Sequence, residues 1–196
     1  MSRIVVLPDT DPATRLVDTD DRDVIAAELA AIGVRFEAWT AGRELADGAD
    51  QAAILAAYAA DIERLRAEGY TTVDAIRLAR TTETDEEWTA KATGARTKFL
   101  AEHTHDDDEV RFFVEGSGIF YLHVAGRVFA VLCETGDLIS VPAGTTHWFD
   151  MGTDPRFCAI RFFRIPEGWV GVFTGSDIAE RFPTYDQLVA EPAGAA

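Results

Sequence analysis

A mainly β fold with a helix-rich first half is what this sequence predicts, and three observations carry the expectation. From about Lys98 onward, short runs rich in aromatic and β-branched residues follow one another, separated by compact turn signals. Before that point, apolar residues recur at helical spacing. The chain has 196 residues, 47% hydrophobic and 27% charged, enough for one domain with a sizeable core. No apolar stretch approaches the roughly 18–20 residues that a membrane span needs.

The elements follow in order. MSRIVVLPDTDP carries one arginine, a short apolar run and a proline, too little for a secretory signal, so a cytoplasmic protein is expected. Asp20 or Asp21 suits the cap of a short helix carrying Val24, Ile25, Leu29 and Ile32, stopped by Gly33. Residues 34–39 alternate like a strand. Across residues 50–67, Ile54, Tyr58, Ile62 and Leu65 share one face of an amphipathic helix that ends at Gly69. A third helix starts at Asp85, where Glu86 and Glu87 suit an N-terminus and Lys91 the far end. Residues 111–114, 118–124, 127–133, 138–141 and 158–165 read as strands, with turns at 115–118, 125–126, 135–137, 142–144 and 154–155. That punctuation predicts an antiparallel barrel or sandwich. The closing EPAGAA reads as a loose tail.

Charge removes classes of partner. Thirty-four acidic residues against eighteen basic ones give −16, a surface that repels nucleic-acid phosphates and anionic membranes. Cys133 and Cys158 lie in apolar runs without CxxC or paired zinc spacing and read as buried, reduced thiols.

Three of the four histidines form a pattern. On a strand, His103 and His105 project from one face, so two imidazoles can meet one ion. The intervening Asp106–Asp108 allows a bend that returns Glu109 to the same ion. Downstream, Gly136-Asp-Leu-Ile-Ser-Val-Pro142-Ala-Gly144-Thr-Thr-His147 describes a strand, a tight turn and a third imidazole. Three neutral nitrogens and a carboxylate suit Fe(II), Ni(II), Mn(II), Co(II) or Zn(II) better than Ca(II) or Mg(II). His123 lies off this pattern and reads as structural. Asp18 to Asp23 reads as a solvated helix start, since it lacks the glycine and distal glutamate of a calcium loop. Of the three successive aspartates, Asp108 is either a hydrogen-bond acceptor for a ligand imidazole or a solvated loop acid; the run favours solvent.

The blocks HxH-three residues-Glu-six residues-Gly116 and Gly136-five residues-PxGxxH resemble the paired motifs of the cupin superfamily, with Thr97 and Met151 in place of its leading glycine and trailing asparagine. More narrowly, KFLAEHTHDDDEVRFFVEGSG from Lys98 and GDLISVPAGTTHWF from Gly136, continuing through Arg161-Phe-Phe to Trp169, resemble the acireductone dioxygenase family. The resemblance implies a cupin double-stranded β-helix (jelly-roll) barrel preceded by a helix-rich N-terminal part. It implies one domain over residues 1–196: a helix-rich part at 1–95, a barrel core with the metal site at 96–170, and a C-terminal extension at 171–196.

In that family one octahedral ion is held by three histidines and a glutamate, with two positions open. Carried over, the ligands are His103, His105, Glu109 and His147, and the cofactor is one Fe(II) or Ni(II) per chain. The implied reaction is cleavage of 1,2-dihydroxy-3-keto-5-(methylthio)pentene by O2 in methionine salvage. With Fe(II) the products are formate and 2-keto-4-methylthiobutyrate; with Ni(II) they are formate, carbon monoxide and 3-methylthiopropionate. Arg111, two residues beyond Glu109, and Arg161 match arginines near the family's active site and are expected to orient the enediolate. The alternative is that either pairs with an acid such as Glu115 or Asp150. Phe99, Phe149 and Trp169 match aromatics around the methylthio tail, the alternative being ordinary barrel core. A monomer is implied, with acireductone and O2 as its small-molecule partners and neither nucleic acid nor a membrane. Competing readings are a cupin dioxygenase for a different enediol or flavonol, and a non-catalytic cupin that binds metal or a small ligand.

Overall fold

The computed structural model describes residues 1–194; Ala195 and Ala196, the end of the predicted tail, lie outside the described residues. In chain order the elements are β1 (Arg3–Pro8), β2 (Val17–Thr19), α1 (Arg22–Ala30), β3 (Arg35–Ala38), α2 (Gln51–Ala57), α3 (Ala59–Ala67), β4 (Thr72–Leu78) and α4 (Asp85–Thr97). Then come β5 (His103–Thr104), β6 (Glu109–Val124), β7 (Arg127–Glu134), β8 (Asp137–Val141), β9 (Thr146–Asp150), β10 (Phe157–Phe163), β11 (Val172–Phe173), α5 (Ile178–Arg181) and α6 (Tyr185–Ala190). No described helix is long and apolar enough to cross a membrane.

All strand pairs are antiparallel, and β6 belongs to two sheets. Its first half pairs with β8 and β10 in the order β3-β8-β6-β10-β4. Its second half pairs with β9 and β7 in the order β11-β5-β9-β6-β7-β1-β2. The two sheets enclose an apolar interior that includes Phe113, Phe120, Phe149 and Phe157. This is the jelly-roll arrangement that the strand pattern and the resemblance implied. Helices cover the outer faces. Tyr58, Ile62 and Leu65 pack on Val110, Phe112 and Ile160 of one sheet, and Ile178, Phe182 and Leu188 on Val5, Tyr121 and Trp148 of the other.

The strand switches sheets at Gly116. Its φ of +64° lies in the left-handed region, and a Cβ there would sit 1.8 Å from the carbonyl oxygen of Arg156. The sequence reads a turn here between two strands; the structure keeps one strand and bends it, because Arg156 crosses too closely for any side chain.

Other elements depart from expectation in instructive ways. The helix-rich first half, with α1 to α4, also carries β1 to β4, all of which join the sheets. Strand β1 is buried on both faces, so Ile4–Leu7 shows no alternation to betray it. The expected helix over residues 50–67 is two helices broken at Tyr58 (φ −113°, ψ 24°), whose fully buried ring stands edge-on to Phe112 at 5.5 Å. The start of the tail is not loose: Arg3 donates to the Glu191 carbonyl at 2.7 Å, and Arg15 pairs with the Glu191 carboxylate. As expected, Asp21 caps α1, and Cys133 and Cys158 are buried free thiols. Helix α4 starts one residue after Thr84, which forms a capping box with Glu87.

Gly116→Ala is expected to lower stability by about 3 kcal/mol through strain and backbone displacement. At Gly144, also left-handed but with nothing within 4 Å of a Cβ, alanine should cost only about 1 kcal/mol. Urea unfolding of both variants checks this; equal losses would rule out the Arg156 clash as the cause.

Candidate metal centre

Sheet register brings the four predicted ligands together. His103 on β5 lies opposite His147 on β9, which in turn lies opposite Leu122 on β6. His105 follows β5 by one residue, on the same face as His103, and Glu109 opens β6. All four side chains are buried, and one ligand atom from each lies within 4.8 Å of the others. That span is comparable to the about 4 Å separating donors on opposite sides of one ion. Among the described residues no second cluster of three or more His, Cys, Asp or Glu side chains closes in this way.

The hydrogen bonds around the rings decide what the cluster can hold. Nδ1 of His103 meets the Ala101 carbonyl at 2.8 Å, Nδ1 of His147 the Thr145 carbonyl at 2.8 Å, and Nδ1 of His105 the Val170 carbonyl at 2.9 Å. A carbonyl only accepts, so each Nδ1 carries the hydrogen and each neutral ring turns an Nε2 lone pair inward. Those lone pairs converge on Glu109, whose Oε2 lies 2.6 Å from Nε2 of His147 and 3.0 Å from Nε2 of His105. Four buried acceptors facing one another repel unless a cation sits among them. The residues therefore fit a divalent ion of the nitrogen-favouring transition series.

Burial pushes Glu109 upward, but the Arg111 guanidinium and the neighbouring imidazoles outweigh it and hold the carboxyl well below its usual range. Burial and the nearby His147 push His103 down, whereas for His105 contact with Glu109 overcomes burial and raises it. Burial pushes Arg111 down to about 10 against the opposing pull of Glu109.

Beside the cluster lies a cavity inside the barrel. Its apolar wall includes Phe99, Phe113, Phe120, Phe149, Phe157 and Met151, and its polar side is Glu109, Arg111 and Arg161. Residues 109, 111 and 113 alternate inward along β6, as 157, 159 and 161 do along β10. Arg111 and Arg161 are direct cross-strand neighbours, each 5.6 Å from the Phe163 ring.

Both arginines have acidic partners, though not the ones weighed from sequence. Nη2 of Arg111 lies 2.5 Å from Oε1 of Glu109, leaving Oε2 toward the histidines. Arg161 donates through Nε and Nη2 to both oxygens of Asp74 on β4, at 2.6 and 2.5 Å. Glu115 instead pairs with Arg77, and Asp150 with Arg96.

The chain matches the ARD/ARD' family over residues 4–171. It belongs to that family. The acireductone dioxygenase of Parvibaculum lavamentivorans is 59% identical over 187 residues, covering 95% of this chain and 98% of the relative. That of Saccharopolyspora erythraea is 52% identical, covering 97% and 99%. Among solved structures, an acireductone dioxygenase from Bacillus anthracis with a cadmium ion in its active centre superposes with a TM-score of 0.71 at 33% identity, covering 88% of this chain and 98% of the other.

For this ARD/ARD' family chain the structure also sorts the remaining sequence candidates. Phe99 and Phe149 line the cavity; Trp169 does not. It lies in the loop after β10, 55% exposed, outside the barrel wall. The aspartates are not all solvated. Asp107 is buried, and Asp108 accepts from Tyr70 Oη at 2.9 Å and Ala143 N at 3.1 Å, so both tie loops together. Met151, where cupins carry asparagine, lines the cavity. His123 is structural, bonded to Glu102 at 2.7 Å and Asp9 at 3.3 Å. Sequence reasoning missed Asp74, Phe113, Phe120 and Phe157. Period-two alternation from Glu109 reaches Phe113; nothing local marks Asp74.

Replacing His147 with alanine should abolish stoichiometric tight binding of Fe(II) or Ni(II), measured by metal analysis after anaerobic loading. Full metal occupancy in the variant would remove His147 from the ligand set.

Proposed function

We propose that this chain is an acireductone dioxygenase that cleaves 1,2-dihydroxy-3-keto-5-(methylthio)pentene with O2 in methionine salvage. The observation that carries the reading is the junction of an inward-facing His3Glu cluster with a cavity whose polar side holds two arginines and whose wall is aromatic. His103, His105, Glu109 and His147 hold the ion. Bound there, a divalent ion supplies a Lewis acid that favours the deprotonated enediol and a template for bringing it to O2.

The rest of the work falls to the chain's own side chains. Arg111 and Arg161 offer positive charge to the enediolate oxygens, in a protein whose net charge of −16 would otherwise repel an anion. Asp74 holds the Nε edge of Arg161, which presents the guanidinium rather than letting it swing. Phe99 and Phe149 receive the methylthio tail, since aromatic surface suits a thioether and excludes water. Trp169, in its exposed position, has no part in that pocket.

Both atoms of O2 enter products. An Fe(II)-loaded chain yields formate and 2-keto-4-methylthiobutyrate; a Ni(II)-loaded one yields formate, carbon monoxide and 3-methylthiopropionate. The donor set accepts both ions and raw affinity favours nickel, so cellular availability selects the product. The enzyme acts in the cytoplasm as a monomer on acireductone and O2, a reading supported by the family resemblance, and its net charge of −16 disfavours nucleic acid and anionic membranes. The whole chain serves as one domain: residues 1–95 add strands and covering helices to the barrel core of residues 96–170, and residues 171–194 pack on an outer face.

Protein reloaded anaerobically with Fe(II) should consume O2 rapidly with enzymatically generated acireductone and release formate and the 2-keto acid. His103→Ala should show only the slow spontaneous oxidation. No uptake by fully loaded wild type would refute the substrate. Arg161→Ala should keep its metal but turn over roughly 100-fold more slowly; undiminished turnover would make Arg161 purely structural.

A further inference from the structure

His103 and His147 each take a carbonyl two residues earlier in their own chain as the acceptor for Nδ1. His105 takes one from a residue 65 positions away, Val170. Something must hold that distant carbonyl in place, and apolar burial does little of it. Ile165, Trp169 and Val170 are 43%, 55% and 46% exposed, so apolar burial anchors the loop after β10 weakly, and the side-chain tie at its start is Arg164, which donates to the Glu68 carbonyl at 2.8 Å and lies over the Tyr70 ring.

We infer that Asp107 is a positioning residue for the metal centre, fastening this loop so that the Val170 carbonyl orients His105. The Asp107 carboxylate is buried, and its Oδ2 accepts from the backbone N–H groups of Arg164 at 2.6 Å and Ile165 at 2.9 Å. Oδ1 accepts from Asp108 N at 2.8 Å, which ties the same side chain to the ligand-bearing segment. From Ile165 the chain turns through two backbone bonds, Gly168 N to Ile165 O and Val170 N to Glu167 O. Gly168 lies against the carboxylate so closely that a Cβ there would fall 2.5 Å from Asp107 Oδ2. Beyond Val170, β11 pairs with β5, and Thr174 bonds to Glu102 through its N–H at 3.1 Å and its hydroxyl at 2.7 Å. The loop is thus fastened on both sides of the His-Thr-His segment, by Glu102 before it and Asp107 after it. Asp107 acts on the metal through His105, by fixing the ring's tautomer and aim.

The test uses full-length protein loaded with Cd(II), the ion its structural relative carries and one whose diamagnetism leaves histidine ring protons observable. Cd(II) affinity is measured by competition with a chromophoric chelator, and the three Nδ1 protons by NMR, in wild type, Asp107→Asn and Gly168→Ala. Both variants should bind Cd(II) about 10- to 100-fold more weakly. The His105 ring proton should exchange rapidly, while those of His103 and His147, with their local acceptors, stay protected. An unchanged His105 proton would overturn the inference, because pairing of β11 with β5 would then suffice to hold Val170. Equal loss at all three histidines would overturn it too, by making Asp107 a general support of the fold. Should Asp107→Asn fail to fold, Gly168→Ala carries the test alone. The inference rests on the metal centre and not on the substrate, so inactivity toward acireductone leaves it standing.

Discussion

The carboxylate of Glu109 is the junction on which the site depends. Its Oε1 is held by Arg111 and its Oε2 faces the Nε2 atoms of His105 and His147. A buried charge persists only when paired and hydrogen-bonded, and here the two oxygens satisfy two different requirements. One keeps a buried guanidinium in the barrel; the other completes a set of inward-facing donors. Moving Glu109 by one residue along β6 would turn it to the outer face and undo both.

The charges run on from there across the sheet. Arg111, Arg161 and Asp74 occupy neighbouring positions on β6, β10 and β4, so Glu109, the two arginines and Asp74 form a row of two ion pairs with the arginines side by side in the middle and no net charge. Adding a divalent ion leaves that row with an excess of two positive charges inside a chain of −16. An anionic ligand is favoured at this spot, and the acidic exterior disfavours anions elsewhere. The barrel supplies the other half of the selectivity, because the strand faces that bear the arginines also bear Phe113 and Phe157.

Rigidity of the imidazoles comes from two kinds of support. For His103 and His147 it is local and follows from their own strands. For His105 it comes from the loop that closes over the ligand end of the barrel, through Val170. Sheet edge, loop and C-terminal strand therefore meet at one ligand, and Glu102 and Asp107 flank it as the ties.

Much of this was legible in the residues. The His103, His105, Glu109 and His147 set could be read because strand alternation fixes which side chains share a face and the motif spacing is short. The second-half strands could be read from turn residues, and α1 from its cap. Strand β1 could not, because burial on both faces erases alternation, nor could the break at Tyr58, which serves a contact with Phe112. By itself the sequence determined the donor types of the metal cluster and an antiparallel barrel or sandwich, which rest on local periodicity and side-chain type, while the family resemblance implied the jelly-roll class and the aromatic pocket. Only the tertiary structure decided that Arg161 pairs with Asp74, that Trp169 stands outside the cavity, and that Val170 orients His105. Those outcomes depend on which strands and loops become neighbours across tens of residues, and no local pattern encodes a neighbour that the chain meets only on folding.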